Sequence, residues 1–201
     1  MIKAIIFDHG GVLSNYLAPG VIAYASKKLS VPRKKFLKAL SKYKPSFQKG
    51  EISEKEFWQK ITTGLNLPMP KVRSFWLDAV LSTYNPRKDI FLLVKQLKKQ
   101  GYKIALLSNT ELPVANYVKE KKWENFDLFI FSCEVGMIKP DKKIYKLALE
   151  KLNVMPEEVV YIDDKEKNVQ GAINSGMHGI LFTTKNNFVK ELIGLGVRVD
   201  F

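Results

Sequence analysis

The second half of the chain alternates between short apolar segments and longer amphipathic ones. The apolar segments read YKIALLS, FDLFIFS, EVVYIDD and GILF, and the segments around them have helical spacing, for example KDIFLLVKQLKKQG and DKKIYKLALEKLN. Strands that are apolar on both faces are typical of a parallel sheet with helices on both sides. Right-handed crossovers then connect successive strands. The pattern predicts an α/β fold built on a doubly wound parallel sheet.

The first apolar segment, KAIIFD, is separated from the others by a long stretch without a strand pattern. Residues 15–86 contain four helix-like segments divided by Pro, Gly and Ser, and Ser53 and Glu56 have the spacing of a capping box. We therefore expect a Rossmann-like core of residues 1–14 and 87–201, interrupted after its first strand by an all-helical cap of residues 15–86. A chain of 201 residues has room for both.

Cysteine content and hydropathy limit the cellular compartments in which we expect the protein. Cys133 is the only cysteine, so neither an intrachain disulfide nor a cysteine metal cluster can form. No apolar run approaches the roughly 18 residues that are needed to cross a bilayer. We expect a cytoplasmic protein without membrane contact, either a monomer or a homodimer.

The positive charge of the chain is concentrated in the predicted cap. The formal net charge is +13, and residues 15–87 contain 14 Lys and Arg against 4 Asp and Glu. This excess is either the solvated side of Lys-rich helices or a positive wall that attracts phosphorylated ligands. Nucleic acid is not the expected partner, because Phe36, Leu37 and Leu40 fall on one helical stripe and leave the neighbouring lysines in solvent.

Polar residues follow several of the predicted strands at the point where each strand ends. Asp8 follows the first strand, Ser108 and Asn109 follow the second, and Asp163 and Asp164 end EVVYIDD. The Lys139–Pro140 pair stands before the helix that precedes this last strand. Ligands of doubly wound sheets bind outside the carboxyl ends of the strands. We therefore expect these residues to surround one site.

The residue types at these strand ends suit phosphoryl transfer. Three carboxylates repel one another unless a cation lies between them, and Mg²⁺ accepts such oxygen ligands. We expect Asp8, Asp163 and the Gly10 carbonyl to bind it, with Asp164 binding directly or through water. Lys139 and the Ser108 hydroxyl would hold the anionic oxygens of the substrate, and Asn109 is a further candidate substrate contact. One carboxylate could then act as the nucleophile.

Four motifs occur in an order that resembles the haloacid dehalogenase (HAD) superfamily, in the branch with a helical cap of subfamily I. They are FDHGGVL, LLSNT, MIKPD and YIDDKEKN, and together they cover nearly the whole chain. GEIS, LSNT and GMIKPD are most similar to small sugar-phosphate phosphatases related to α-glucose-1-phosphate phosphatase. The resemblance implies that Asp8 attacks phosphorus to form an aspartyl-phosphate, which water hydrolyses, while Mg²⁺ and Lys139 neutralise charge. The implied substrate is a small phosphorylated metabolite, foremost a sugar phosphate.

Gly10 departs from the common family pattern, in which a second Asp protonates the leaving group and activates water. Three interpretations stay open. A phosphatase whose substrate has a good leaving group needs less acid assistance; a weakened or non-catalytic protein would bind an anionic partner; and a 2-haloacid dehalogenase would use Asp8 on carbon. The paired Asp163 and Asp164 argue against the last, since dehalogenation in this family needs no metal.

Three further interpretations concern residues near the site and in the cap. His9 is expected to pack rather than to react, because strand alternation turns it away from Asp8. Asn168 could orient the aspartates from the next helix, or it could be a surface amide. The aromatic residues that could line the inner face of the cap, most of them more simply cap core, are Tyr16, Phe47, Trp58, Phe75 and Trp76.

Overall fold

A computed structural model describes residues 1–15 and 18–199 of the chain; Tyr16, a candidate cap aromatic, lies outside them. Within these residues five parallel strands form one sheet in the order β3-β2-β1-β4-β5. The predicted doubly wound α/β fold is therefore confirmed. The strands are β1 Ala4–Phe7, β2 Lys103–Ser108, β3 Leu128–Phe131, β4 Val159–Asp163 and β5 His178–Leu181.

Helices cover both faces of the sheet because successive strand residues point to opposite sides. Ile5 and Phe7 of β1 pack with the helices on one face, and Ala4 and Ile6 pack with those on the other. On the first face lie α5 Lys88–Lys99, α6 Leu112–Glu120 and α10 Lys185–Gly194, and on the second α8 Lys142–Leu152 and α9 Glu166–Ile173. A short helix α7, Ser132–Val135, follows β3, and a 3-10 turn, Pro156–Glu158, precedes β4.

Between β1 and α5 the only named elements in the described part of the chain are helices, and no strand is formed there. The helices are α1 Ala18–Lys28, α2 Arg33–Gln48, α3 Glu54–Leu65 and α4 Phe75–Leu81. The predicted capping box is present at the start of α3, where Ser53 Oγ accepts from Glu56 N at 3.2 Å and Glu56 Oε2 accepts from Ser53 N at 2.8 Å. Of the predicted α2 stripe, Phe36 and Leu40 are buried but Leu37 is 39% exposed.

The four helices between β1 and α5, which form the predicted cap, share an aromatic core. Phe47 stacks on Phe57 with ring centroids 4.4 Å apart, and Trp76 meets the same two rings edge-on at 5.8 and 5.6 Å. Phe75 packs against Trp58 at 4.9 Å. These four aromatic candidates, Phe47, Trp58, Phe75 and Trp76, are buried, as expected of cap core rather than of a ligand-binding wall.

The end of α2 is attached directly to the strand ends of the core. Ser132 Oγ donates to the carbonyl of Gln48 at 2.6 Å, and Gln48 Nε2 donates to the carbonyl of Asn109 at 3.3 Å. The cap is thereby placed beside the carboxyl ends of β2 and β3. None of the helices in the described part of the chain is both long and apolar enough to cross a membrane.

Candidate active site

Lys139 joins two carboxylates that follow neighbouring strands. Its ammonium group lies 2.7 Å from Asp8 Oδ1 and 2.8 Å from Asp163 Oδ2, and it also donates to the carbonyl of Leu107 at 2.8 Å. Lys139 is 2% exposed, and both carboxylates are buried. Because β1 and β4 are neighbours in the sheet, Asp8 and Asp163 are close enough to contact the same ammonium group. The arrangement places one fixed positive charge between two buried acids.

The backbone of Lys139 is fixed by Asn109. Asn109 Nδ2 donates to the carbonyl of Lys139 at 3.0 Å, and the Lys139 N–H donates to Asn109 Oδ1 at 2.8 Å. Both polar atoms of the Asn109 side chain are thus engaged by the protein. Asn109 also lines the cavity described below, so it stays a predicted substrate contact, and its two hydrogen bonds additionally position Lys139.

Asp163 is enclosed by hydrogen-bond donors. Its Oδ1 accepts from the Lys165 N–H at 2.9 Å and from Asn168 Nδ2 at 3.1 Å, and its Oδ2 accepts from Asn168 Nδ2 at 3.0 Å as well as from the Tyr161 hydroxyl and Lys139. Asn168 is 2% exposed, so it is not a surface amide but a support for Asp163. Both oxygens of Asp163 therefore already have partners.

Asp164 has a different environment from its neighbour. It lines the cavity in front of Asp8, and its Oδ1 contacts Lys165 Nζ at 3.5 Å without a hydrogen bond to any described residue. Gly11 packs against it, with φ of +93°, and a Cβ at that position would lie 2.4 Å from Asp164 Cγ. One carboxylate oxygen from each of Asp8, Asp163 and Asp164 lies within 4.8 Å of the other two.

These strand ends border a cavity of about 350 Å³. Its floor comes from the core and includes Asp8, Ser108, Lys139 and Asp164, together with the backbone turn at Gly10. The helices between β1 and α5 contribute Pro19, Lys44 and Gln48 to its lining. The cavity has the size and the polar lining of a site for a small ligand.

The sequence profile described as haloacid dehalogenase-like hydrolase matches residues 2–176 of the chain. The chain is a haloacid dehalogenase-like hydrolase. A crystal structure of the HAD family enzyme BT-2542 from Bacteroides thetaiotaomicron resembles this hydrolase with a TM-score of 0.79 and 26% identity, over 95% of this chain and 98% of that one. A structure of the same enzyme in complex with magnesium and inorganic phosphate has a TM-score of 0.75 and 27% identity, over 92% and 96% of the two chains.

Curated relatives include a phosphatase and a much longer protein. The hydrolase is 26% identical over 183 residues to the sesquiterpene phosphatase astK of Aspergillus oryzae, covering 90% of each chain. It is 28% identical over 213 residues to bifunctional epoxide hydrolase 2 of Rattus norvegicus, covering 95% of this chain. The hydrolase spans only 38% of the length of that relative.

Burial shifts the pKa values of the cavity carboxylates upward. Burial raises the pKa of Asp8 to about 6, against the opposing charge of Lys139. Burial also raises the pKa of Asp164, against Lys165. Burial also tends to raise the pKa of Asp163, but the charge of Lys139 and the hydrogen bonds to the carboxylate lower it by more. The pKa of Asp163 therefore lies below the ordinary value. Asp8 and Asp164 are therefore the two acids for which a nearby cation would lower the cost of ionisation most.

The hydrolase has a carboxylate set that fits a divalent cation. Hard cations such as Mg²⁺ take oxygen ligands, and the three carboxylate oxygens lie close enough together to share one ion. Asp164 Oδ1 is buried without a hydrogen bond from any described residue, so it retains a lone pair for a ligand. Asp8, Asp164 and the predicted Gly10 carbonyl suit direct binding, whereas the donors around Asp163 make it a less available ligand.

Other site residues match the sequence expectations to different degrees. His9 is buried between Tyr84 and Trp123, with ring centroids at 5.8 and 5.6 Å, and burial lowers its pKa to about 4. Its surroundings agree with a packing role. Tyr161, which contacts Asp163, was not predicted, although its position two residues earlier on β4 puts it on the same face. Lys44 and Gln48 could not be found from any motif, because the cap packing brings them to the cavity.

Proposed function

We propose that this hydrolase cleaves a small phosphate monoester, with sugar phosphates as the first class to test, in a Mg²⁺-dependent reaction through a phosphorylated Asp8. The observation that carries the proposal is the placement of Asp8 at the floor of the cavity, 2.7 Å from the buried ammonium group of Lys139. A nucleophile for phosphoryl transfer needs such a position, because the incoming phosphate is itself negative. The phosphatase relative and the magnesium and phosphate complex of BT-2542 support it.

In the first step, an oxygen of Asp8 attacks the phosphorus atom, and the bond from phosphorus to the ester oxygen breaks. The leaving oxygen keeps the electron pair and takes up a proton. In the second step, water attacks the phosphorus of the aspartyl-phosphate and releases inorganic phosphate, which restores the carboxylate of Asp8. Lys139 offsets the negative charge on the transferred group in both steps, and Ser108, at the end of β2, borders the same space.

We assign the metal site to Asp8, Asp164 and the backbone carbonyl of Gly10. When bound, Mg²⁺ would supply positive charge to the phosphoryl oxygens. Asp163 stays a predicted ligand, but its contacts favour another role, in which it holds Lys139 in place. Asn168 and Tyr161 would in turn hold Asp163.

Gly10 restricts the leaving group, because it offers no side chain that could donate a proton. An anomeric sugar phosphate fits this restriction, since its leaving group departs with little acid assistance. We further propose that residues 15–86 act as the cap that selects the substrate, because Pro19, Lys44 and Gln48 line the same cavity as Asp8. A small phosphorylated molecule is thus the expected ligand, rather than nucleic acid.

The test is phosphate release from a panel of phosphate monoesters led by glucose 1-phosphate and p-nitrophenyl phosphate. We expect turnover with Mg²⁺ and its loss with EDTA or in Asp8→Asn. Asp89→Asn is the matched control, because Asp89 is an exposed residue of α5 outside the cavity, and it should retain full activity.

Absence of phosphate release from every ester, in protein with a native circular dichroism spectrum, would contradict the proposal. Retained phosphate binding in that case would favour a non-catalytic binding protein. Halide release from 2-haloacids without metal would favour a dehalogenase.

A further inference from the structure

Among the lysines that line the cavity, some are paired with carboxylates and others are not. Lys139 is paired with Asp8 and Asp163, and Lys165 lies 3.5 Å from Asp164. Lys44 and Lys167 also line the cavity, and neither forms an ion pair with a carboxylate among the residues that the structure describes. A positive charge in a small cavity attracts an anionic ligand group.

Lys44 belongs to α2, whereas Lys139 belongs to the loop before α8, so the two lysines line the cavity from different parts of the fold. Lys44 is half-buried, and its ammonium group lies 5.7 Å from the centroid of the Trp76 ring. The Trp76 indole N–H donates to Glu111 Oε2 at 2.8 Å, and Glu111 is 1% exposed. Lys44 therefore rests on an aromatic surface beside a buried acid, which limits the directions in which its ammonium group can move.

The helix that carries Lys44 is fixed to the core. Gln48, one turn further along α2, is attached through its carbonyl to Ser132 and through its side chain to Asn109. The following turn packs closely on α7, since a Cβ at Gly50 would lie 2.2 Å from the carbonyl oxygen of Cys133. Residues i and i+4 share a helix face, so Lys44 and Gln48 border the cavity together. The position of Lys44 over the cavity is thus part of the folded structure.

We propose that Lys44 is a specificity-determining residue that binds a second anionic group of the substrate, either a carboxylate or a second phosphate. The inference rests on the proposed phosphatase function and names its substrate class as small phosphate monoesters that carry a second anionic group. The reacting phosphoryl group is served by Lys139 on the floor, which leaves Lys44 for the remainder of the molecule. A cavity of about 350 Å³ keeps the two anionic groups within a few atoms of each other.

A purely structural role for Lys44 makes a different prediction. Its charge opposes the effect of burial on Glu111, so Lys44 could serve only to balance that acid. Replacement of Lys44 would then lower the stability of the protein or the activity on all substrates to the same extent. If Lys44 binds substrate, its replacement instead lowers the preference for substrates with two anionic groups over those with one.

The experiment compares two matched pairs of ligands at constant ionic strength. The first pair is 3-phosphoglycerate and glycerol 3-phosphate, and the second is glucose 1,6-bisphosphate and glucose 1-phosphate. Turnover with Mg²⁺ is measured for the wild type, Lys44→Met and Lys38→Met. Lys38 is an exposed residue of the same helix outside the cavity, so its variant controls for net charge. Affinity is measured by calorimetry in Asp8→Asn, alone and combined with Lys44→Met.

We expect the wild type to prefer the member with two anionic groups in at least one pair by about tenfold or more in kcat/KM and in affinity. This preference should disappear in Lys44→Met and persist in Lys38→Met. The pair that shows it distinguishes a carboxylate from a phosphate.

Turnover without any preference, or equal losses for both members in Lys44→Met, would overturn the inference and leave the phosphatase intact. Selective binding that depends on Lys44, in a protein that turns over no ester, would overturn the phosphatase and support the role of Lys44.

Discussion

The side chain of Asn109 and the backbone of Lys139 are joined by two hydrogen bonds, one in each direction, at 3.0 and 2.8 Å. This pairing connects the loop after β2 to the residue that contacts Asp8 and Asp163. Its consequence is that Lys139 has a fixed backbone as well as a fixed ammonium group. Asn109 can therefore affect catalysis without touching the substrate.

The first prediction concerns Asn109→Ala. Loss of both hydrogen bonds lets Lys139 move away from Asp8, so we expect kcat to fall about tenfold to a hundredfold, while KM changes much less. Steady-state kinetics on the best ester of the panel checks this. A large rise in KM with unchanged kcat would instead mean that Asn109 contacts the substrate directly.

The second prediction concerns Lys139→Met, which removes the positive charge between two buried carboxylates. Breaking a buried ion pair on one side costs about 3–5 kcal/mol. We expect the free energy of unfolding in urea at pH 7 without metal to fall by about 3 kcal/mol or more, and phosphatase activity to be lost. Mg²⁺ should restore part of the stability, since it offsets the same carboxylates.

The matched control for this prediction is Lys119→Met. Lys119 pairs with Glu134 at the surface, where its side chain is 49% exposed. Exposed pairs contribute about 0–1 kcal/mol, so this variant should remain close to the wild type. If the free energy of unfolding falls equally in the two lysine variants, burial does not increase the contribution of the Lys139 ion pairs to stability.

The sequence predicted the sheet and the residues at its carboxyl edge for a physical reason. Apolar strands of four to six residues can be recognised from their composition alone. The carboxyl ends of parallel strands lie at one edge of the sheet, and this does not depend on how individual side chains pack. The individual roles at that edge depend on side-chain contacts that no spacing encodes. The different environments of Asp163 and Asp164, and the engagement of Asn109 by Lys139, are of this kind.

In the cap, the sequence predicts the helices but not which of their residues face the cavity. The cap helices and their aromatic core follow from helical spacing, and the spacing of Ser53 and Glu56 predicts the capping box that the structure contains. Which residues of the cap face the cavity depends on how α2 meets the core. That contact is made by Gln48 with Ser132 and Asn109, which are 84 and 61 residues away in sequence. Local pattern carries no information on such pairs.

The third prediction separates the two adjacent aspartates. Asp164→Asn should abolish Mg²⁺ binding measured by calorimetry, because Asp164 faces the cavity. Asp163→Asn should retain measurable binding but lose activity and stability, because it removes the negative charge beside Lys139 and replaces one acceptor oxygen by a donor among the donors of Lys139, Tyr161 and Asn168. A greater loss of Mg²⁺ affinity in Asp163→Asn than in Asp164→Asn would make Asp163 the direct ligand.

The fourth prediction concerns pH and Glu111. Burial raises the pKa of this side chain above its ordinary value of 4.5, against the charge of Lys44. Above pH 4.5 the unfolded chain loses the proton while the folded protein keeps it, so the Glu111 contribution to stability falls with rising pH until the raised pKa is passed. Glu111→Gln lacks this titration and keeps an acceptor for Trp76.

Urea unfolding of both proteins between pH 4 and pH 8 tests the Glu111 prediction. The free energy of unfolding of Glu111→Gln minus that of the wild type should increase from the acidic end of the range upward. A difference that does not change with pH would mean that Glu111 has the same pKa in the folded and unfolded states.

The fifth prediction uses two glycines with nearly the same backbone conformation. Gly11 and Gly101 have φ values of +93° and +90°, but a Cβ at Gly11 would lie 2.4 Å from Asp164 Oδ2, whereas at Gly101 nothing lies within 4 Å. Both alanine variants should lose about 1–2 kcal/mol of stability through backbone strain. Only Gly11→Ala should also displace Asp164, and we expect its Mg²⁺ affinity to fall about tenfold or more by calorimetry. Unchanged Mg²⁺ affinity in Gly11→Ala would show that Asp164 does not bind the ion, because the added methyl group leaves its carboxylate no room to stay in place.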